Sequence, residues 1–67
     1  MQDFSSYSQR KKIQMANLVI EELGRKKLMS ELQITNASLS MWKKIGLPHS
    51  QYKYLKLAHP NLRAWSI

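Results

Sequence analysis

The sequence predicts an all-α protein: a single compact domain over residues 1–67, built of four to five short helices and closed by a short C-terminal arm at 61–67. Three observations predict it. Only two Gly and two Pro occur, which argues against a turn-rich β fold. No four-residue stretch alternates as a half-buried strand would. Apolar residues instead recur at three- and four-residue spacing, between residues that start and stop helices. A chain of 67 residues buries only about 60% of its unfolded surface, so the core must be thin. The 43% apolar content is still too high for a solvated tail. The sequence contains no Cys, which excludes a disulfide framework and a thiolate metal site and fits a cytosolic setting.

Ser5, Ser6 and Ser8 offer N-caps for a first helix starting around residues 5–9. Ile13, Ala16, Ile20 and Leu23 form its apolar stripe, widened by Met15, Leu18 and Val19. Gly24 stops it, since Gly takes a left-handed terminal conformation without steric cost. Arg25 to Leu32 reads as a short second helix with Leu28, Met29 and Leu32 inward. Gln33-Ile34 is a break. Thr35 or Asn36 then caps a third helix, in which Leu39 and Trp42 face in and Gly46 ends the run. Leu47-Pro48 is a turn opening a fourth helix, because Pro near a helix start costs no hydrogen bond. Tyr52, Leu55, Ala58 and Leu62 form its expected inner stripe, and Pro60 stops it.

Charge points to a class of partner. Eleven Lys/Arg stand against four Asp/Glu, a net charge of +7. Residues 1–23 balance, with Arg10, Lys11 and Lys12 against Asp3, Glu21 and Glu22. Residues 24–67 carry eight basic residues against Glu31 alone, so the whole excess lies there. A folded domain this basic is expected to meet a polyanion, nucleic acid first and an anionic membrane surface second. No apolar stretch approaches the roughly 20 residues that span a bilayer. The run after Lys12 is broken by Gln14, Asn17 and Glu21 and lacks a small-residue cleavage site, so no signal peptide is expected. Three Glu, one Asp and two His with no phosphate-cradling Gly motif make an enzyme, a metal site or a cofactor unexpected.

The informative stretch runs over about 25–45, where two short helices are separated by a tight break. That is the arithmetic of a helix-turn-helix, whose second helix enters the major groove of DNA. Leu28, Leu32, Ile34, Leu39 and Trp42 supply the apolar clamp. Thr35, Asn36, Ala37, Ser38, Ser40 and Met41 supply a small or hydrogen-bonding outer face, and Arg25, Lys26, Lys27, Lys43 and Lys44 supply flanking cations. The residues Leu28-Met29, Leu32-Gln33-Ile34-Thr35, Leu39-Ser40, Trp42-Lys43 and Gly46-Leu47-Pro48 resemble Cro and related lambda-repressor-like phage regulators over about residues 24–58. Two positions depart from that pattern. Met29 stands where a small Ala usually lets the helices approach, and Gln33 where Gly usually takes a left-handed turn.

The resemblance implies base-reading positions at Thr35, Asn36, Ala37, Ser40, Met41 and Lys44. The Asn36 amide can pair with both N7 and N6 of adenine, and Ala37 or Met41 can touch a thymine methyl group. Arg25, Lys26 and Lys27 at the start of the second helix are expected to hold phosphate, as are Ser38 and Lys43, with His49, Ser50, Gln51 and Lys53 on the other flank. Arg10, Lys11 and Lys12 read either as a solvated turn or as a segment along the DNA backbone. The expected function is sequence-specific binding of double-stranded DNA by a Cro-like phage or prophage repressor in the bacterial cytoplasm, associated with the nucleoid. It would act by operator occupancy, without a small-molecule ligand. A homodimer on an inverted repeat is expected, formed in solution or completed on the DNA, because one helix reads too few base pairs. Leu62, Trp65 and Ile67 of the apolar arm form the first candidate interface, since an exposed Trp needs a reason; the alternative is that Leu62 and Trp65 fold back to cover the thin core. The outer side of the first helix around Met15 and Leu18 is the second. The rival class is a small phage-type adaptor or inhibitor that binds an acidic protein partner.

Overall fold

The computed structural model describes residues 4–66. A 3-10 turn at Phe4–Ser6 leads into four helices among those residues: α1 (Gln9–Leu23), α2 (Arg25–Leu32), α3 (Asn36–Ile45) and α4 (His49–Ala58). A second 3-10 turn, Arg63–Ser66, closes the chain. The fold is all-helical, as the spacing predicts.

Local chemistry sets the helix ends. Ser8 caps α1, its hydroxyl accepting the Lys11 N–H at 3.2 Å. Thr35 caps α3 by accepting the Ser38 N–H at 3.3 Å, so of the two cap candidates Thr35 takes the role and Asn36 becomes the first helical residue. Gln33 takes the left-handed conformation, φ 54° and ψ 47°, that the turn after α2 demands. Its backbone N–H and that of Ile34 both donate to the Met29 carbonyl, closing the end of α2. Gln therefore fills the usual Gly position at some conformational cost, and Met29 is accommodated half-buried beside the core.

Packing centres on α1, against which α2, α3 and the C-terminal turn all lie. Its buried stripe is Met15, Ala16, Val19 and Ile20. This corrects two expectations: Ile13 and Leu23 are only half-buried, and Met15, 2% exposed, is core rather than a partner surface. A helix covered from several sides buries more than one stripe. Leu28, Leu39, Trp42, Leu47 and Leu55 complete the centre. Phe4 and Ala64, which the sequence reading assigned to no core, are also buried. Ala58 is exposed, contrary to the expected stripe. His59, which caps the end of α4, is half-buried and held by Glu31.

The arm folds back. Trp65 is half-buried, meets the Tyr52 ring edge-on at 5.3 Å and donates its indole N–H to the His59 carbonyl at 2.7 Å. The premise of an exposed Trp awaiting a partner is therefore corrected: Leu62 and Trp65 cover the core of their own chain. Ile67 lies outside the described residues. Glu22 anchors the same segment, accepting the Arg63 backbone N–H at 2.9 Å and its Nε–H at 3.0 Å. The Cα radius of gyration is 10.9 Å, matching the roughly 11 Å expected of a compact chain this long.

Gly46 joins α3 to α1. Its φ of 105° and ψ of 169° lie in a region that only Gly visits readily. A methyl group there would stand 2.7 Å from Lys12 Cβ and 3.3 Å from the Lys12 carbonyl carbon. Gly24, at φ 87°, has open space around it. Both Gly→Ala changes introduce backbone strain of about 1–3 kcal/mol, but only Gly46→Ala adds a collision with a packed helix. Urea denaturation should show Gly46→Ala clearly the more destabilising. Equal midpoints for the two variants would mean that this close approach does not matter.

Candidate nucleic-acid interface

Helices α2 and α3 are joined by only three residues, Gln33, Ile34 and Thr35. Their packing turns one face of α3 into the protein through Leu39 and Trp42, 0% and 3% exposed. The opposite face carries Asn36, Ala37, Ser40, Met41 and Lys44, all exposed. Met41 is 51% exposed, and Ile45, one turn on, is 54%. Among the described residues of α3 there is no carboxylate, and Lys43 and Lys44 fall in its last turn. Cations at a helix C-terminus are favoured by its dipole.

The expected site residues sort into three kinds. Asn36, Ala37, Ser40, Met41 and Lys44 share the outward face. Thr35 and Ser38 are engaged at the cap: Ser38 donates its N–H to Thr35 Oγ1, and the two hydroxyls lie 3.4 Å apart. The flanking group splits between two helix starts, Arg25, Lys26 and Lys27 on α2, and His49, Ser50, Gln51 and Lys53 on α4. Lys26, Lys27, Lys43, His49, Ser50 and Lys53 are exposed, while Arg25, Ser38 and Gln51 are half-buried.

Two polar contacts escaped the sequence reading. The first joins the starts of both helices: Arg25 Nη1 donates to Asn36 Oδ1. The Asn36 amide is therefore held from one side, with both N–H donors and one further lone pair left for a ligand. The second ties the end of α2 to α4. His59 Nε2 lies 3.0 and 3.1 Å from the two Glu31 carboxylate oxygens, and the Tyr54 hydroxyl donates to the same carboxylate at 3.0 Å. No local pattern signals either contact, because the partners lie 11 to 28 residues apart.

The His59 hydrogen bond holds the Glu31 carboxyl below its ordinary value of 4.5, with Tyr54 and the charges of His59 and Lys27 acting in the same direction against partial burial. The same Glu31–Tyr54 bond pushes the Tyr54 hydroxyl up. A depressed carboxyl stabilises the fold above its unfolded pKa, and that contribution is lost as pH falls through the folded value. Stability should therefore drop below about pH 4.5, and Glu31→Gln should weaken the domain at pH 7 while flattening that acid limb. Urea midpoints taken from pH 7 to pH 3 measure both. A parallel acid limb in the variant would assign the loss to other groups.

No family model matches the chain, and no curated protein or solved structure matches it. No helix among the described residues is long and apolar enough to cross a membrane.

Proposed function

We propose that this chain is a sequence-specific reader of double-stranded DNA, a small Cro-like transcriptional repressor of phage or prophage type that acts by occupying an operator. The observation that carries this reading is the α2–α3 unit. A three-residue turn sets α3 against the core through Leu39 and Trp42, which leaves Asn36, Ala37, Ser40, Met41 and Lys44 outward between cationic flanks. An outward helix of small, hydrogen-bonding and methyl-bearing side chains suits base edges in the major groove, and lysines beside it suit phosphates. The setting would be the bacterial cytoplasm, on the nucleoid. Two copies on an inverted repeat would place their recognition helices about 34–36 Å apart.

Selection of bound duplexes from a random pool tests the reading. It should return an inverted repeat with half-sites about one helical turn apart, and a pool that fails to enrich would overturn the proposal. On the selected site, Asn36→Ala should lose about 1–3 kcal/mol, with little change on random duplex. Its folding stability should stay within about 0.5 kcal/mol of the parent, because Thr35 and not Asn36 caps the helix. Equal losses on both duplexes would remove Asn36 from base readout.

A second reading has one observation in its favour. Met41 and Ile45 stand four residues apart on the outer side of α3, and each is about half exposed. Side chains of this kind also anchor protein partners, which suits an adaptor that binds an acidic protein. Such an adaptor would bind duplex DNA weakly at any salt concentration.

A further inference from the structure

Helix α1 carries its charges the wrong way round. Arg10, Lys11 and Lys12 fill its first turn and Glu21 and Glu22 its last, with no acid at the start and no base at the end. The helix dipole favours the reverse. Positions where local rules are broken without local gain are where function is expected. The acidic end has its reason on the page: Glu22 anchors the C-terminal turn through Arg63. Among the described residues, the basic end makes no comparable ion pair.

The fold places that basic end beside the exit of α3. Gly46 packs against Lys12 Cβ, and the Leu47 N–H donates to the Lys12 carbonyl at 3.2 Å. The Lys12 ammonium stands 5.0 Å from the centre of the Phe4 ring, and His49, the first residue of α4, stacks on the same ring at 5.5 Å. Lys11 Nζ lies 4.2 Å from the centre of the Tyr7 ring. Aromatic faces thus hold both cations, and the Phe4 ring is shared by Lys12 and His49 at the α3–α4 turn. Within α1 the carboxylates stand at its far end. Glu21 is ten residues from Lys11, about 15 Å along the axis and beyond a screening length of about 8 Å.

We infer that Lys11 and Lys12, with His49, form a further phosphate-binding face. It takes the DNA backbone as that backbone leaves α3, and so extends the footprint past the helix-turn-helix. This rests on the DNA reading above. The occupant is a nucleic-acid backbone because the face continues the cationic flank of α3 and offers ammonium groups over aromatic rings rather than an apolar groove.

The test compares the parent with Lys11→Gln/Lys12→Gln and Lys11→Arg/Lys12→Arg on one random duplex, by salt titration. The Gln pair should lower the log–log salt slope by roughly 1.8 and weaken binding on the order of 60-fold at 0.1 M salt. The Arg pair should keep the parent slope. Thermal unfolding of the Gln pair should show no loss of helix, since the change relieves the dipole conflict. A parent that binds no DNA refutes the underlying reading. A parent that binds with the full slope, alongside a folded Gln pair of unchanged slope and affinity, refutes this face alone. An Arg pair that behaves like the Gln pair would also refute it, because the contact would then not be one of charge.

Discussion

Trp42→Ala is expected to leave the domain largely unfolded at room temperature. The side chain is 3% exposed and lies one turn from Leu39 on the inner face of α3. Truncating a buried Trp costs about 3–5 kcal/mol. The entire stability of a 67-residue domain is of the order of 3–10 kcal/mol at typical values per residue. The loss is therefore comparable with the whole. Thermal unfolding followed by far-UV circular dichroism should shift down by at least about 12 °C, since 1 kcal/mol moves a domain this size by roughly 4–8 °C. Trp42→Phe, which keeps a ring in the same space, should retain a cooperative transition. A Trp42→Ala midpoint within a few degrees of the parent would mean that α3 is held by other contacts. This expectation concerns folding alone and stands whatever the chain binds.

The largest functional effect is expected from salt. If six of the flanking cations meet phosphates, affinity for a random duplex should fall about 10³-fold between 50 and 200 mM salt, because each contact adds roughly 0.9 to the log–log slope. Arg25, Lys26, Lys27, Lys43, Lys44 and Lys53 are the six. Five of them are exposed, and Arg25 is half-buried. Lys43→Ala or Lys26→Ala should weaken cognate and random duplexes equally and reduce the slope by about one contact. A flat response in the parent would sink the DNA reading and turn attention to Met41 and Ile45 as a protein-binding face.

The distinction between positioning and readout follows from the same geometry. Arg25 touches Asn36, so the start of α2 holds the side chain that the proposed DNA reading assigns to a base. On that reading, Arg25→Ala should lose both a phosphate contact and part of the Asn36 effect, unlike Lys26→Ala, whose side chain is exposed.

What the sequence by itself determined is what short-range physics controls. The stops at Gly24 and Gly46 and the inward pair Leu39 and Trp42 depend on residues within about four positions of one another and were legible, while the caps were narrowed to Ser5, Ser6 or Ser8 and to Thr35 or Asn36, from which the structure takes Ser8 and Thr35. The outward face of α3 was legible for the same reason: once Leu39 and Trp42 point in, helical geometry leaves Asn36, Ser40 and Lys44 pointing out. What only the tertiary structure decided involves partners far apart in the chain. Phe4 and Ala64 became core because the two chain ends close over α1 and α4. Trp65 turned from a candidate partner surface into a lid because the His59 carbonyl stands within reach of its indole. Met15 was buried because α1 is covered from several sides, and His59 was tied to Glu31, 28 residues away in sequence. Spacing along one helix states which residues share a face, but it carries no information about how many neighbours that helix will have. That number is settled only when separate elements meet.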